Sequence, residues 1–234
     1  MRSWRDEQSA FTLVELVIAL GIFGIIMTVA YLSLTSLTES KQALDDTRDN
    51  RFVADAVLGR MTRELQLAFA GLPLMPPQDN LSTPNSSKVC LIGEQGSLSN
   101  GEAGDRIEFL AMEGGQYLPD GGSHSGVVQI SYRVELDPER PAGGQDSYLL
   151  IRQETPYIRP FDKAYEKTMV FPVVKNIVAM RFRYLLPNED SWAEEWGKDT
   201  RINLPRLLEF TIKLRSPKGT IETFTTSVPF RSKP

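Results

Sequence analysis

The chain is 234 residues long, 41% hydrophobic and 24% charged, and its 26 basic and 30 acidic side chains leave a net charge of −4. That composition excludes a disordered chain and a Gly/Pro low-complexity chain, and a mean hydropathy of −0.24 excludes a polytopic membrane protein. The mild acidity argues against a general nucleic-acid binder; one cysteine rules out an intrachain disulfide, and one histidine rules out a His-rich metal cluster.

The apolar residues are unevenly placed. After a short polar leader, MRSWRDEQSA (1–10), the chain reads FTLVELVIALGIFGIIMTVAYLSL from Phe11 to Leu34, and Glu15 is its one charged residue. The uninterrupted part, Leu16–Leu34, is long enough as a helix to cross ~30 Å of hydrocarbon at about 1.5 Å per residue. A cleaved secretory signal would have a shorter core and a small-residue cleavage site after it. A plain signal anchor fits the length but leaves Glu15 unexplained, because an ionisable residue in a membrane segment is costly and implies a function. A third reading gives Glu15 a partner charge; a fourth lets it snorkel to the headgroups from its place near the helix end.

The leader, the Phe, the Glu four residues after it and the long apolar helix together resemble the signal of type IV prepilins and type II secretion pseudopilins. The resemblance implies cleavage by prepilin peptidase between Ala10 and Phe11, N-methylation of Phe11, and subunit assembly through Glu15. In that assembly the Glu15 carboxylate pairs with the N-terminal ammonium of a neighbouring subunit. The chain departs from the family in having Ala10 where Gly is usual, and its leader is less basic, with Asp6 and Glu7 offsetting Arg2 and Arg5.

No proline occurs between Phe11 and Leu72. Beyond the apolar run, Ala54, Leu58, Met61, Leu65 and Ala68 step by three or four and predict one helical stripe. Arg60, Arg63, Glu64 and Gln66 are expected on the wet side. The helix is expected to stop near Ala70-Gly71, with Pro73 blocking continuation. Residues 72–105 read as a long connection with one candidate strand, Lys88–Ile92. Period-two alternation then predicts strands at 128–135, 180–184 and 208–214. Further candidates are Arg106–Ala111, Tyr148–Gln153, Met169–Val174 and Thr220–Val228. With no second long helix in view, antiparallel pairing is expected.

The distal region narrows the resemblance. Val178-Ala-Met-Arg-Phe-Arg-Tyr-Leu-Leu186, then Trp192, Trp196 and Asn203-Leu-Pro205, is similar to the C-terminal part of the type II secretion minor pseudopilin J. Tyr148-Leu-Leu-Ile-Arg152 resembles one of its strands. Other minor pilins of type IV pili, serving adhesion, motility or DNA uptake, share the N-terminal signal and stand as the alternative. The J resemblance implies an α+β, pilin-like fold: one long N-terminal helix, its first half transmembrane, packed on two antiparallel sheets. It also implies a place in a pseudopilus tip complex for protein export. The implied partners are the minor pseudopilins I and K, other pseudopilins, prepilin peptidase and the inner-membrane assembly platform. The organisation expected is a leader at 1–10, a transmembrane helix at 11–35, its amphipathic continuation at 36–71 and a periplasmic β domain at 72–234. The membrane is expected to be the bacterial inner membrane, crossed once, with no nucleic-acid partner.

Trp192 and Trp196 read either as packing on the sheet or as a partner contact, with Ala193-Glu194-Glu195 between them solvated. No catalytic residue, cofactor site or metal site is expected, and no enzyme. His124 stands where a nucleophile elbow needs Ser. Cys90 sits in an apolar run as a buried thiol. Asp137-Pro-Glu139 and Asn188-Glu-Asp190 lack the calcium-loop pattern.

Overall fold

A computed structural model describes residues 13–78, 89–112, 126–139, 146–187, 189–198, 204–216 and 219–230, without the side chains of 36–49. Two compact units divide the chain, Met1–Arg48 and Asp49–Pro234. Helix α1, Leu13–Gln66, begins in the first and ends in the second.

In its first stretch, Leu13–Thr35, α1 is apolar on every side. Leu13–Thr35 is 23 residues long, has a mean hydropathy of 2.5 and is 0% buried. Its large apolar side chains are 53–78% exposed. A helix apolar all round needs an apolar surrounding. Its two threonines are matched to that surrounding: Thr28 donates to the Gly24 carbonyl and Thr35 to the Leu32 carbonyl, 2.8 and 2.9 Å away. Both hydroxyls are thereby satisfied within the helix.

Among the described residues of the second unit, eight strands form one antiparallel sheet. They are β1 (Leu91–Glu94), β2 (Arg106–Met112), β3 (Val127–Leu136), β4 (Tyr148–Pro156), β5 (Met169–Leu185), β6 (Trp192–Ala193), β7 (Leu207–Arg215) and β8 (Ile221–Pro229). The order is β1-β2-β3-β4-β5-β7-β8, with β6 pairing β5. A six-residue helix, α2 (Phe161–Glu166), lies between β4 and β5.

The two sheets implied by the resemblance are joined here through β5. The segments read separately as Met169–Val174 and 180–184 are one 17-residue strand. Its first half pairs with β4 and its second half with β7, the two overlapping at Ile177. Register shifts flank the junction, and Asn176 has φ 59°. Asn is among the few residues that tolerate this backbone region, so the strand bends there without ending.

The α1 stripe is buried at Ala54, Val57, Leu58, Met61 and Leu65. It belongs to one core with the inner-face residues Phe109, Ile130, Leu150, Met180, Phe182, Phe210 and Ile212. Each fully buried Leu, Val or Met contributes roughly 1.5–3 kcal/mol. A smaller cluster on the opposite face gathers Leu74, Val89, Leu110, Val127, Tyr157 and Ala164 under α2. Leu110 and Phe109 are neighbours in β2, so they point to opposite faces.

α1 ends at Gln66, earlier than its sequence suggests, because the chain finds better partners. β1 pairs with β2 only as far as Phe109, which leaves the β2 edge open beyond it. Phe69 N–H donates to the Leu110 carbonyl and Met112 N–H to the Leu67 carbonyl, at 2.8 and 3.0 Å. The expected long connection at 72–105 is likewise organised in its described part. Beyond β1, Ala103–Asp105 lie along the side of β5 that β4 has vacated, and bond Met180 in both directions at 2.9 and 3.0 Å.

Candidate functional site

The apolar stretch of α1, Leu13–Thr35, carries one carboxylate. Glu15 lies in the first turn of α1, where the helix dipole favours negative charge. Ala10 and Phe11 fall outside the described residues, as does His124.

In the β domain a charged cluster is buried between α1 and the sheet. Sequence periodicity places Glu64 with the wet residues of the helix, yet its side chain is only 15% exposed. Its carboxylate accepts from Arg152 Nε at 3.0 and 3.2 Å, from the Tyr132 hydroxyl at 2.6 Å and from Arg60 Nε at 3.1 Å. Arg152 and Tyr132 face each other across β3 and β4. The side chains of Arg152 and Glu154 are 1% and 0% exposed, and Arg152 Nη1 lies 2.6 Å from a Glu154 oxygen. That contact is electrostatic, since neither Nη1 nor the Glu154 carboxylate makes an aligned hydrogen bond. Burial by itself would lower the Arg152 pKa; the Glu64 carboxylate more than offsets this and the net shift is upward. Burial, reinforced by the Glu64 charge, raises the Tyr132 hydroxyl, which stays a donor.

Asp105 is a further buried acid, 4% exposed. Its two oxygens accept from the backbone N–H of Gly96 at 3.2 Å and of Phe182 at 2.8 Å. One carboxylate thus ties the loop after β1 to β5.

The two tryptophans have different surroundings. Trp196 is 1% exposed and packs on Tyr184, with ring centroids 5.8 Å apart. Its backbone exchanges two hydrogen bonds with Gly93. Trp192 is 38% exposed, and the Arg183 guanidinium lies 4.8 Å from its ring centroid. Between them, Ala193-Glu194-Glu195 is partly buried rather than solvated. Ala193 pairs with Tyr184 in β6, and Glu194 binds Arg181 at 2.5 Å.

The other sequence candidates have structural partners, except Asn188, which lies outside the described residues. Cys90 is 1% exposed, and burial raises its thiol pKa. Asp137 accepts from the Glu139 N–H, Glu139 pairs with Lys175, and Asp190 pairs with Arg206. Among the described residues no three His, Cys, Asp or Glu side chains are grouped to hold a metal ion. A basin of about 400 Å³ opens between β5, β7 and the Gly101–Ala103 loop. Its Arg183 and Lys213 are paired with Glu209 and Glu102, and its Arg181 with Glu194.

Two family models match the chain. The model for the prokaryotic N-terminal methylation motif covers residues 5–31, and that for type II secretion system (T2SS), protein J, covers residues 33–225. No curated protein matches it. The first match falls on the leader and apolar helix, the second on the rest of α1 and nearly all of the sheet. The chain therefore belongs to the type II secretion system protein J family, and is a minor pseudopilin with a prepilin-type methylation motif.

Proposed function

We propose that prepilin peptidase cuts this chain between Ala10 and Phe11, that Phe11 is then N-methylated, and that Glu15 recruits the subunit into a pseudopilus. The observation that carries this reading is a 23-residue apolar helix with a carboxylate in its first turn. Cleavage creates an ammonium at Phe11, and attraction between the Glu15 carboxylate and a neighbouring subunit's ammonium is strengthened in a medium of low dielectric. The leader at 1–10 stays in the cytoplasm, 11–35 is the span of the bacterial inner membrane, 36–71 carries the helix onward to its end at Gln66, and 72–234 is a periplasmic domain. The minor pseudopilins I and K are the partners in a tip complex, and the assembly platform is the membrane contact. The chain acts as a structural subunit rather than an enzyme. The charged side chains of its basin are engaged in ion pairs, Arg183 with Glu209, Lys213 with Glu102 and Arg181 with Glu194 beyond its lining.

The test has two parts. Mass spectrometry of the protein from cells containing the peptidase is expected to find methylated Phe11 at the N-terminus; intact Met1 would sink the reading. Glu15→Ala is expected to be processed normally but to co-purify less with I and K. A pairing worth about 1.4 kcal/mol changes that recruitment about tenfold, and unchanged recovery rejects the role given to Glu15.

A further inference from the structure

α1 meets the sheet through a stripe that repeats along its own axis. Ala54, Val57, Leu58, Met61 and Leu65 recur every three or four residues. Sliding the helix by one turn, about 5.4 Å, sets apolar residues against apolar residues again. Met and Leu adapt to such changes in packing at modest cost. A stripe of this kind holds the helix down but selects its axial position poorly.

The contact at Glu64 does not repeat. A slip of one turn in one direction puts Arg60 where Glu64 stands. Two guanidinium groups would then face each other at Arg152, whose side chain is 1% exposed. A slip in the other direction puts Ala68 there, which takes away the acceptor of Arg152 Nε and of the Tyr132 hydroxyl. Glu154 alone would remain, on its unaligned contact. Either slip strands a buried charge, which is far costlier than a change of apolar neighbours. Selecting one register is also the best-attested use of a buried charged pair.

We propose that Glu64 and Arg152 are positioning residues that fix the axial register of α1 on the sheet, with Tyr132 and Glu154 holding the two side chains in place. In a subunit recruited through its N-terminal helix, a one-turn error displaces every surface of the β domain along that helix. This last consequence rests on the assembly role proposed above; the register itself does not.

The experiment measures register directly in the full chain in detergent. Spin labels are placed through Arg63→Cys on α1 and Glu135→Cys on β3, both exposed, in a Cys90→Ala background. The parent is expected to give one distance. The triple variant Glu64→Leu/Arg152→Met/Glu154→Leu is expected to fold, since apolar replacement of a buried charged cluster is well tolerated, and to give a second distance displaced by about 5 Å. The native distance alone, or loss of the fold, assigns the cluster to stability and overturns the proposal. A transposed variant, Arg60→Glu/Glu64→Leu, moves the acid four residues toward the N-terminus. It is expected to give one distance displaced by about 6 Å; an unchanged distance or no folded protein counts against the proposal. Secretion in a strain lacking the chromosomal copy is read alongside. A register shift with normal secretion rejects the assembly consequence and leaves the positioning role standing.

Discussion

Asp105 ties two distant stretches of backbone together. Its two acceptor oxygens hold Gly96 and Phe182, residues far apart in sequence. Burial raises its carboxyl pKa above the ordinary value, against the two backbone N–H groups that lower it. The folded chain therefore keeps this proton to higher pH than the unfolded chain does. The resulting contribution to stability is fully present below about pH 4 and is lost as pH rises through the elevated pKa. Asp105→Asn is expected to remove that slope from urea melts run across the acid range. It also costs about 1–3 kcal/mol, because an amide can accept at only one of its two heavy atoms. A variant with the parent's slope would place the titration elsewhere. Neither Asp105 nor the Glu64 cluster was legible in the sequence. In Tyr148–Pro156 one face carries Tyr148, Leu150, Arg152 and Glu154, and the other Leu149, Ile151, Gln153 and Thr155. Both faces mix apolar with polar residues, so alternation cannot say which one is dry. Glu64 borders its stripe, and only a cation waiting on the sheet turns it inward.

At the scale of elements, α1 changes character between its two units. Its first part is apolar all round, and its second buries one stripe against the sheet. Met61, at 0% exposure, sits at the centre of that stripe, whereas Phe52 is 76% exposed. Met61→Ala is expected to lower the stability of the β domain by about 2–5 kcal/mol, and Phe52→Ala to leave it within about 0.5 kcal/mol. Chemical denaturation followed by circular dichroism separates the two. A large loss at Phe52 would mean that the outer face of the helix is covered. The helix and most strands were legible, because hydrophobic periods of 3.6 and 2 persist over many residues. The union of two strands into β5 was not. The sequence supports separate strands at Met169–Val174 and 180–184, yet a left-handed Asn176 beside register shifts lets one strand bend and continue. β6 was hidden as well, since two residues give no period. Gly93 shows a similar limit: a Cβ there would meet the Tyr184 hydroxyl, a constraint that comes from a strand 91 positions away.

At the scale of the whole molecule, the sheet is close to a meander. β1 to β5 pair in the order in which they occur, and β7 and β8 follow with only β6 set aside. Neighbouring strands close short loops, which favours early pairing. The helix docks on residues drawn from many strands, including Tyr132 and Arg152. Pulsed hydrogen exchange during refolding is therefore expected to protect β3 and β4 amides before those of Val57–Leu65; protection of the helix first would refute this order. The meander also gives the last strand a particular duty. β8 is the outer strand, and its neighbour β7 keeps Leu208, Phe210, Ile212 and Leu214 at 0–2% exposure. A chain cut short before Ile221 would present β7 as a bare, apolar strand edge, the kind of surface that aggregates or attracts proteolysis. The nine residues of β8 thus act as a cover: a chain that has them hides the edge of β7, and one cut before Ile221 marks itself for removal.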